Sequence, residues 1–157
     1  MVEGIDMRYA EARQGRVFVI RLEHGEDLHG ELERFAEQEG IQAAALIILG
    51  GADGTSRLVV GPESEGSTPI VPQVRMLLGI HEIGGTGTIF RDEKGSPVLH
   101  MHLATGRGDH VLTGCSRAGV RIWQVAEVVI FELLDSGALR RFQEDTGFTL
   151  LDFDPKV

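Results

Sequence analysis

One cysteine, Cys115, stands in the whole chain of 157 residues, so no intrachain disulfide can form and a reducing compartment is the simplest home. Cations are also scarce: 15 Lys and Arg face 24 Asp and Glu, a formal net charge of −9. Affinity for a phosphate backbone comes from neutralising it with cations, so direct nucleic-acid binding by this chain alone is disfavoured. Long apolar runs are missing as well. The longest, Ala43 to Leu49, is far too short to span a bilayer, and the acidic N-terminal segment lacks the basic and apolar regions of a signal peptide. A soluble, cytoplasmic protein with no membrane partner is the expectation. Gly50-Gly51-Ala52-Asp53-Gly54 is not a phosphate-cradling loop, because neither Gly-Lys-Ser/Thr nor a helix follows it, and it reads as a turn between strands.

Glycine, in contrast, is plentiful. Its 21 residues follow no fixed period, which implies many tight turns and strand ends and therefore a sheet-rich domain. One core suffices at this length, so a single domain is expected over residues 16–151, with a lead-in over 1–15 and a tail over 152–157. Arg16 to Leu22 is β-branched and aromatic, suited to a strand. Leu28, Leu32, Phe35 and Ala36 then recur at three and four residues, and Gly40 follows as a stop, which predicts one main helix over 26–39. On it His29, Glu31, Glu33, Glu37 and Glu39 read as a solvated face. Ile41 to Leu49 is continuously apolar, as expected of a strand covered on both faces.

Leu58-Val59-Val60 reads as a short strand, and Gly61 to Pro72 as a surface loop and candidate flap. From Val74 onward the pattern is one of successive antiparallel strands, over 74–80, 81–90, 98–105, 110–113 and 119–134, with hairpin-like turn chemistry in Arg91 to Ser96. The fold class is therefore α/β (α+β), with a central, largely antiparallel sheet and one main helix. Trp123, with Ile122 and Val125, belongs in the core or at a subunit contact.

The chemistry concentrates in Leu99-His100-Met101-His102-Leu103. In a strand, alternate side chains share a face, so His100 and His102 project together while Leu99, Met101 and Leu103 project to the other side. Two imidazoles can then converge on zinc or another borderline divalent metal, but two ligands do not close a site. The hairpin brings Gly84 to Phe90 opposite the pair, with His81 and Glu82 at its other end; a bulge at Gly84-Gly85 would change which side chains point inward. His110, in Gly106-Arg107-Gly108-Asp109-His110, is a further candidate ligand, with His81 and Glu82 as alternatives. Arg107, Arg117 and Arg121 are candidates for a cationic rim able to hold an anionic molecule.

The ordered series Gly25-Glu26-Asp27-Leu28, Ala43-Ala44-Ala45-Leu46, Gly87-Thr88-Ile89, Leu99-His100-Met101-His102, Thr113-Gly114-Cys115-Ser116-Arg117-Ala118-Gly119-Val120 and Ala126-Glu127-Val128-Val129-Ile130-Phe131-Glu132 resembles the plants-and-prokaryotes-conserved (PPC) domain family over about residues 16–151. The resemblance implies a compact domain with a central antiparallel sheet and assembly as a homotrimer. In prokaryotic members a Gly-Gly-His segment follows the His-x-His pair and completes a metal site, typically for zinc. Aligning on Gly119 implies that Cys115 takes the third position, a departure that sulfur's strength as a zinc ligand makes chemically sound. The plant relatives add basic AT-hook segments. This chain has no Arg-Gly-Arg-Pro-like hook, so any action at DNA is expected to run through protein partners.

Two functions follow as expectations. One is a non-enzymatic, metal-binding assembly or regulatory module. The other is a metal-dependent enzyme acting on a small anionic molecule, with Glu82 or Asp109 handling protons. No convincing nucleophile, cofactor fingerprint or paired acid and base is present, which favours the module.

Overall fold

The computed structural model describes residues 7–66 and 69–153. The start of the lead-in, Ser67 and Thr68 of the expected loop, and 154–157 of the tail lie outside the described residues. An eight-stranded antiparallel sheet has the order β1-β8-β2-β5-β6-β7-β3-β4, and β9 and β10 form a separate two-stranded hairpin. The strands are β1 (Arg13–Glu23), β2 (Ala43–Ala52), β3 (Arg57–Pro62), β4 (Pro72–Met76), β5 (His81–Arg91), β6 (Pro97–Arg107), β7 (His110–Cys115), β8 (Ile122–Leu134), β9 (Ala138–Gln143) and β10 (Phe148–Phe153).

One α-helix, α1 (Leu28–Gln38), lies between β1 and β2, within the span its apolar spacing predicts. Asp27 caps it, the carboxylate accepting from the Gly30 amide at 2.8 Å. Leu28, Leu32 and Ala36 of α1 join Ala44, Leu46 and Ile48 of β2, Leu99, Met101 and Leu103 of β6, and Ala126, Val128 and Ile130 of β8 in one core on the inner face of the sheet. Full burial of Leu28 and Leu32 stabilises this packing by about 1.5–3 kcal/mol each.

The opposite, outer face differs from expectation. The apolar run of β2 is covered on its inner face only: Ile47 and Leu49 stay exposed, as do Val17 and Val19 of β1. Gly50 and Gly51 do not end β2 either. The strand runs on to Ala52 across a register shift against β8, because Gly51 lets Trp123 pack close and Gly50 leaves room for the Ala126 backbone. The β9–β10 hairpin, with no counterpart in the sequence reading, lies over the outer face near the β5–β6 turn, where Arg140 of β9 reaches Thr88 and Phe90.

Candidate metal centre

The β5–β6 hairpin pairs in regular register, Thr86 opposite His102 and Thr88 opposite His100, with no bulge at Gly84-Gly85. Alternation therefore places both imidazoles on the outer face while Leu99, Met101 and Leu103 enter the core. The two rings stand edge to face with centroids 5.1 Å apart. On the other side β7 pairs with β6 from Arg107↔His110 up to His102↔Cys115. Cys115 is thus the cross-strand neighbour of His102, at the last rung before the chain enters the 3-10 turn Ser116–Ala118.

Gly114 makes that last rung possible. A Cβ there would lie 2.5 Å from the Val59 carbonyl oxygen, so only glycine lets β3 approach close enough to pair at Val59↔Cys115. Beyond this point β6 has no strand on its β7 side, and side chains take over its backbone groups. Glu33 of α1 accepts from the Leu99 amide at 2.9 Å, and Ser116 donates to the Met101 carbonyl at 3.0 Å.

One donor atom each from His100, His102 and Cys115 lies within 4.8 Å of the others, the sulfur buried and the imidazoles exposed. Ligands of a tetrahedral zinc at bond lengths of about 2.0–2.3 Å sit closer together than this, so modest side-chain rotations would close the set around an ion. Nitrogen and sulfur donors suit zinc, and three protein ligands leave a fourth position open. Burial holds the His100 pKa below its ordinary value, aided by the positive fields of Arg140, His102, Arg117 and His29. Both effects favour the neutral imidazole, the form that coordinates metal.

The other candidates fall elsewhere. His110 and Arg107 pair at the far end of the β6–β7 ladder, about 17 Å along the strand from Cys115, and Asp109 lies in the turn between them. Glu82 faces Gly106 at that same end, and His81 is buried with Nδ1 3.0 Å from the Gly79 carbonyl. The candidate cationic rim does not form: Arg107 donates to the Ile80 carbonyl and Arg121 to the Gly25 carbonyl, and of the three only Arg117 lies near the histidines. His29 and Glu33 are not simply solvated. His29 bonds Ser116 at 2.8 Å, burial lowers its pKa, and Glu33 holds the β6 edge.

Arg140 is the residue near the site that sequence reasoning missed, for want of any strand signal in Ala138–Gln143. Together with His29, Glu33, His100, Arg117 and Phe148 it borders an open cleft of about 400 Å³ beside the donor cluster.

The sequence profile of the Plants and Prokaryotes Conserved (PCC) domain matches residues 9–134. A metal-containing protein of Archaeoglobus fulgidus is similar in structure, with a TM-score of 0.78 and 25% identity, covering 92% of this chain and 98% of that one. A plant- and prokaryote-conserved protein of Pyrococcus horikoshii is similar at TM-score 0.80 and 22% identity, covering 96% of this chain and 100% of that one. Among curated proteins, the bifunctional protein GlmU of Synechococcus sp. (strain JA-3-3Ab) is 28% identical over 145 residues, 88% of this chain. The chain spans 21% of that protein's length.

Proposed function

This chain belongs to the Plants and Prokaryotes Conserved domain family, and from that membership we propose that it is a non-enzymatic, metal-binding assembly or regulatory module, with zinc held by His100, His102 and Cys115. The convergence of two imidazoles and a sulfur at the end of one strand pair carries the reading. It is supported by the structural similarity to a protein described as metal-containing. Metal analysis of the purified full chain tests it: about one zinc per chain is expected, lost on His100→Ala, His102→Ala or Cys115→Ala. A metal-free protein whose affinity for added zinc none of the three changes alters would end it.

The module assembles as a homotrimer through the outer face of β1 and β2. Val19 and Leu49 are 81% and 57% exposed there, an apolar surface that a monomer would leave wet. Action at DNA runs through protein partners, in keeping with the charge of −9.

A metal-dependent enzyme acting on a small anionic molecule is a second reading, favoured by the open fourth position that three protein ligands leave for water or substrate. Neither of the acids this reading assigns to proton handling, Glu82 and Asp109, is near enough to move a proton there.

A further inference from the structure

Arg140 is a buried cation with no counterion among the described residues. It is 5% exposed; its Nη2 donates to Thr88 Oγ1 at 2.9 Å, and its guanidinium lies 5.5 Å from the Phe90 ring centroid. Its Nε is buried with no hydrogen-bond partner. Among the described residues no carboxylate forms an ion pair with it: Asp92, whose backbone bridges to it, accepts through its carboxylate from the Lys94 and Ser96 amides, and Asp152 and Glu93 are engaged by other arginines, Asp152 by Arg8 and Arg141 and Glu93 by Arg141. Burying a guanidinium without a charge partner is strongly unfavourable, and an anion in an adjoining cleft would offset that cost.

The space for that ligand is present. Arg140 borders the cleft of about 400 Å³, and so does Arg117, stacked 5.7 Å from the Phe148 ring centroid. Glu33 is the one acid in the wall, and its carboxylate already accepts from the Leu99 amide. Two guanidiniums against one committed carboxylate give the cleft a positive field within a chain whose net charge is negative. Guanidinium forks match carboxylate and phosphate oxygens in pairs. The volume is at the lower end for ligand sites, which suits a compact molecule rather than a polymer.

We infer that the cleft between β6 and the β9–β10 hairpin binds a small oxyanion, a carboxylate or phosphate compound, held by Arg140 and Arg117 next to His100. This inference rests on the metal-centre reading for one feature only, a second oxygen of the ligand turned toward the ion. Its anchoring by guanidinium does not need the metal.

Calorimetric titration of the full chain with inorganic phosphate, oxalate and succinate, each on zinc-loaded and on chelator-treated protein, tests both parts. At least one probe should bind saturably to the chelator-treated protein, weakened at least about tenfold by Arg140→Met and by Arg117→Gln. The phosphate and dicarboxylate arms identify which oxyanion is preferred. Oxalate should bind more tightly when zinc is present. Equal oxalate affinity with and without zinc would count against the metal reading and leave the arginine site standing. Should Arg140→Met not fold, the exposed Arg117→Gln carries the comparison alone. Absence of saturable binding by all three probes, or binding that Arg117→Gln leaves unchanged, overturns the inference.

Discussion

Ser116 Oγ lies 2.8 Å from His29 Nε2 and gives its single proton to the Met101 carbonyl 3.0 Å away, so the imidazole is the donor in the pair. Through this hydroxyl α1, the end of β7 and the free edge of β6 are tied at one buried point. Ser116→Ala leaves a buried carbonyl and a largely buried ring N–H unsatisfied, and should lower stability by about 2–3 kcal/mol. Urea unfolding reads this as a lower midpoint at unchanged slope. A loss under 0.5 kcal/mol, roughly the scale of a surface change, would mean that water replaces the hydroxyl without penalty.

The register His102↔Cys115 puts sulfur within reach of a bound ion, and cobalt makes that visible. Cobalt loaded in place of zinc should give an intense thiolate charge-transfer band, absent in Cys115→Ala and kept in His110→Ala. Loss of the sulfur should also weaken zinc binding by at least the roughly 100-fold that loss of an outer-shell partner can cost. A cobalt spectrum that Cys115→Ala leaves unaltered would remove the sulfur from the site.

Legibility of this site followed the range of the interactions that build it. Alternation within one strand is local, so the common face of His100 and His102 could be read from Leu99-His100-Met101-His102-Leu103 alone. The helix was readable for the same reason, from the spacing of Leu28, Leu32 and Ala36. Cys115 entered through family resemblance, because the β6–β7 register that seats it depends on the turn at Gly108-Asp109, midway along the chain from His102 to Cys115, and on the close approach of β3 at Gly114. Arg140 was invisible. Two arginines and no β-branched residue in Ala138–Gln143 give no strand pattern, and its burial is created by Phe90 and Thr88 about fifty residues earlier. The continuous apolar run of β2 misled for a physical reason as well: composition reports that both faces are apolar, but says nothing about whether this chain or another covers them.

Glu132 of β8 fills the irregularity in β1. Its carboxylate accepts from the Arg16 amide at 3.0 Å and from the Arg16 guanidinium at 2.8 Å, and the Arg16 hydrogen bond holds its pKa down at about 2 against an ordinary 4.5. A depressed carboxylate stabilises the folded state fully above the unfolded value, and that stability drains away as pH falls from about 4.5 toward 2. With the guanidinium half in solvent, the contribution at neutral pH is about 1–2 kcal/mol. Glu132→Gln should therefore lower the melting temperature at pH 7 and flatten its fall over this acid window. Parallel wild-type and variant curves from pH 7 to pH 2 would show that the pair contributes nothing to folding.

Gly114→Ala should act on the site from outside it. The added methyl would sit 2.5 Å from the Val59 carbonyl, which is fixed backbone, so β3 or β7 must move. Overpacking of this kind costs about 1–3 kcal/mol, and here the displacement falls on the residue preceding Cys115. Zinc affinity should drop along with thermal stability, whereas Gly95→Ala, in the solvent-exposed β5–β6 turn at positive φ with open space around it, should lower stability without touching the metal. Equal zinc affinities for wild type and Gly114→Ala would separate the β3–β7 contact from the site.

The outer face links the proposed assembly surface to the same centre. One transverse row of the sheet runs Val19, Val129, Ile47, Thr86, His102, Cys115, so the apolar end and the donor end are continuous across five strand pairings. If other copies of the chain cover Val19, Ile47 and Leu49, a charge placed there must be desolvated in the assembly while costing nothing in an isolated chain, where the positions already face water. Val19→Lys combined with Leu49→Lys should therefore convert a species of three 17.1 kDa chains into a single folded chain in sedimentation equilibrium. The circular dichroism spectrum should stay unchanged, because neither side chain contributes to the inner core. A wild type that already sediments as one chain, or a variant that stays trimeric, would show that the exposed strip is not where copies meet.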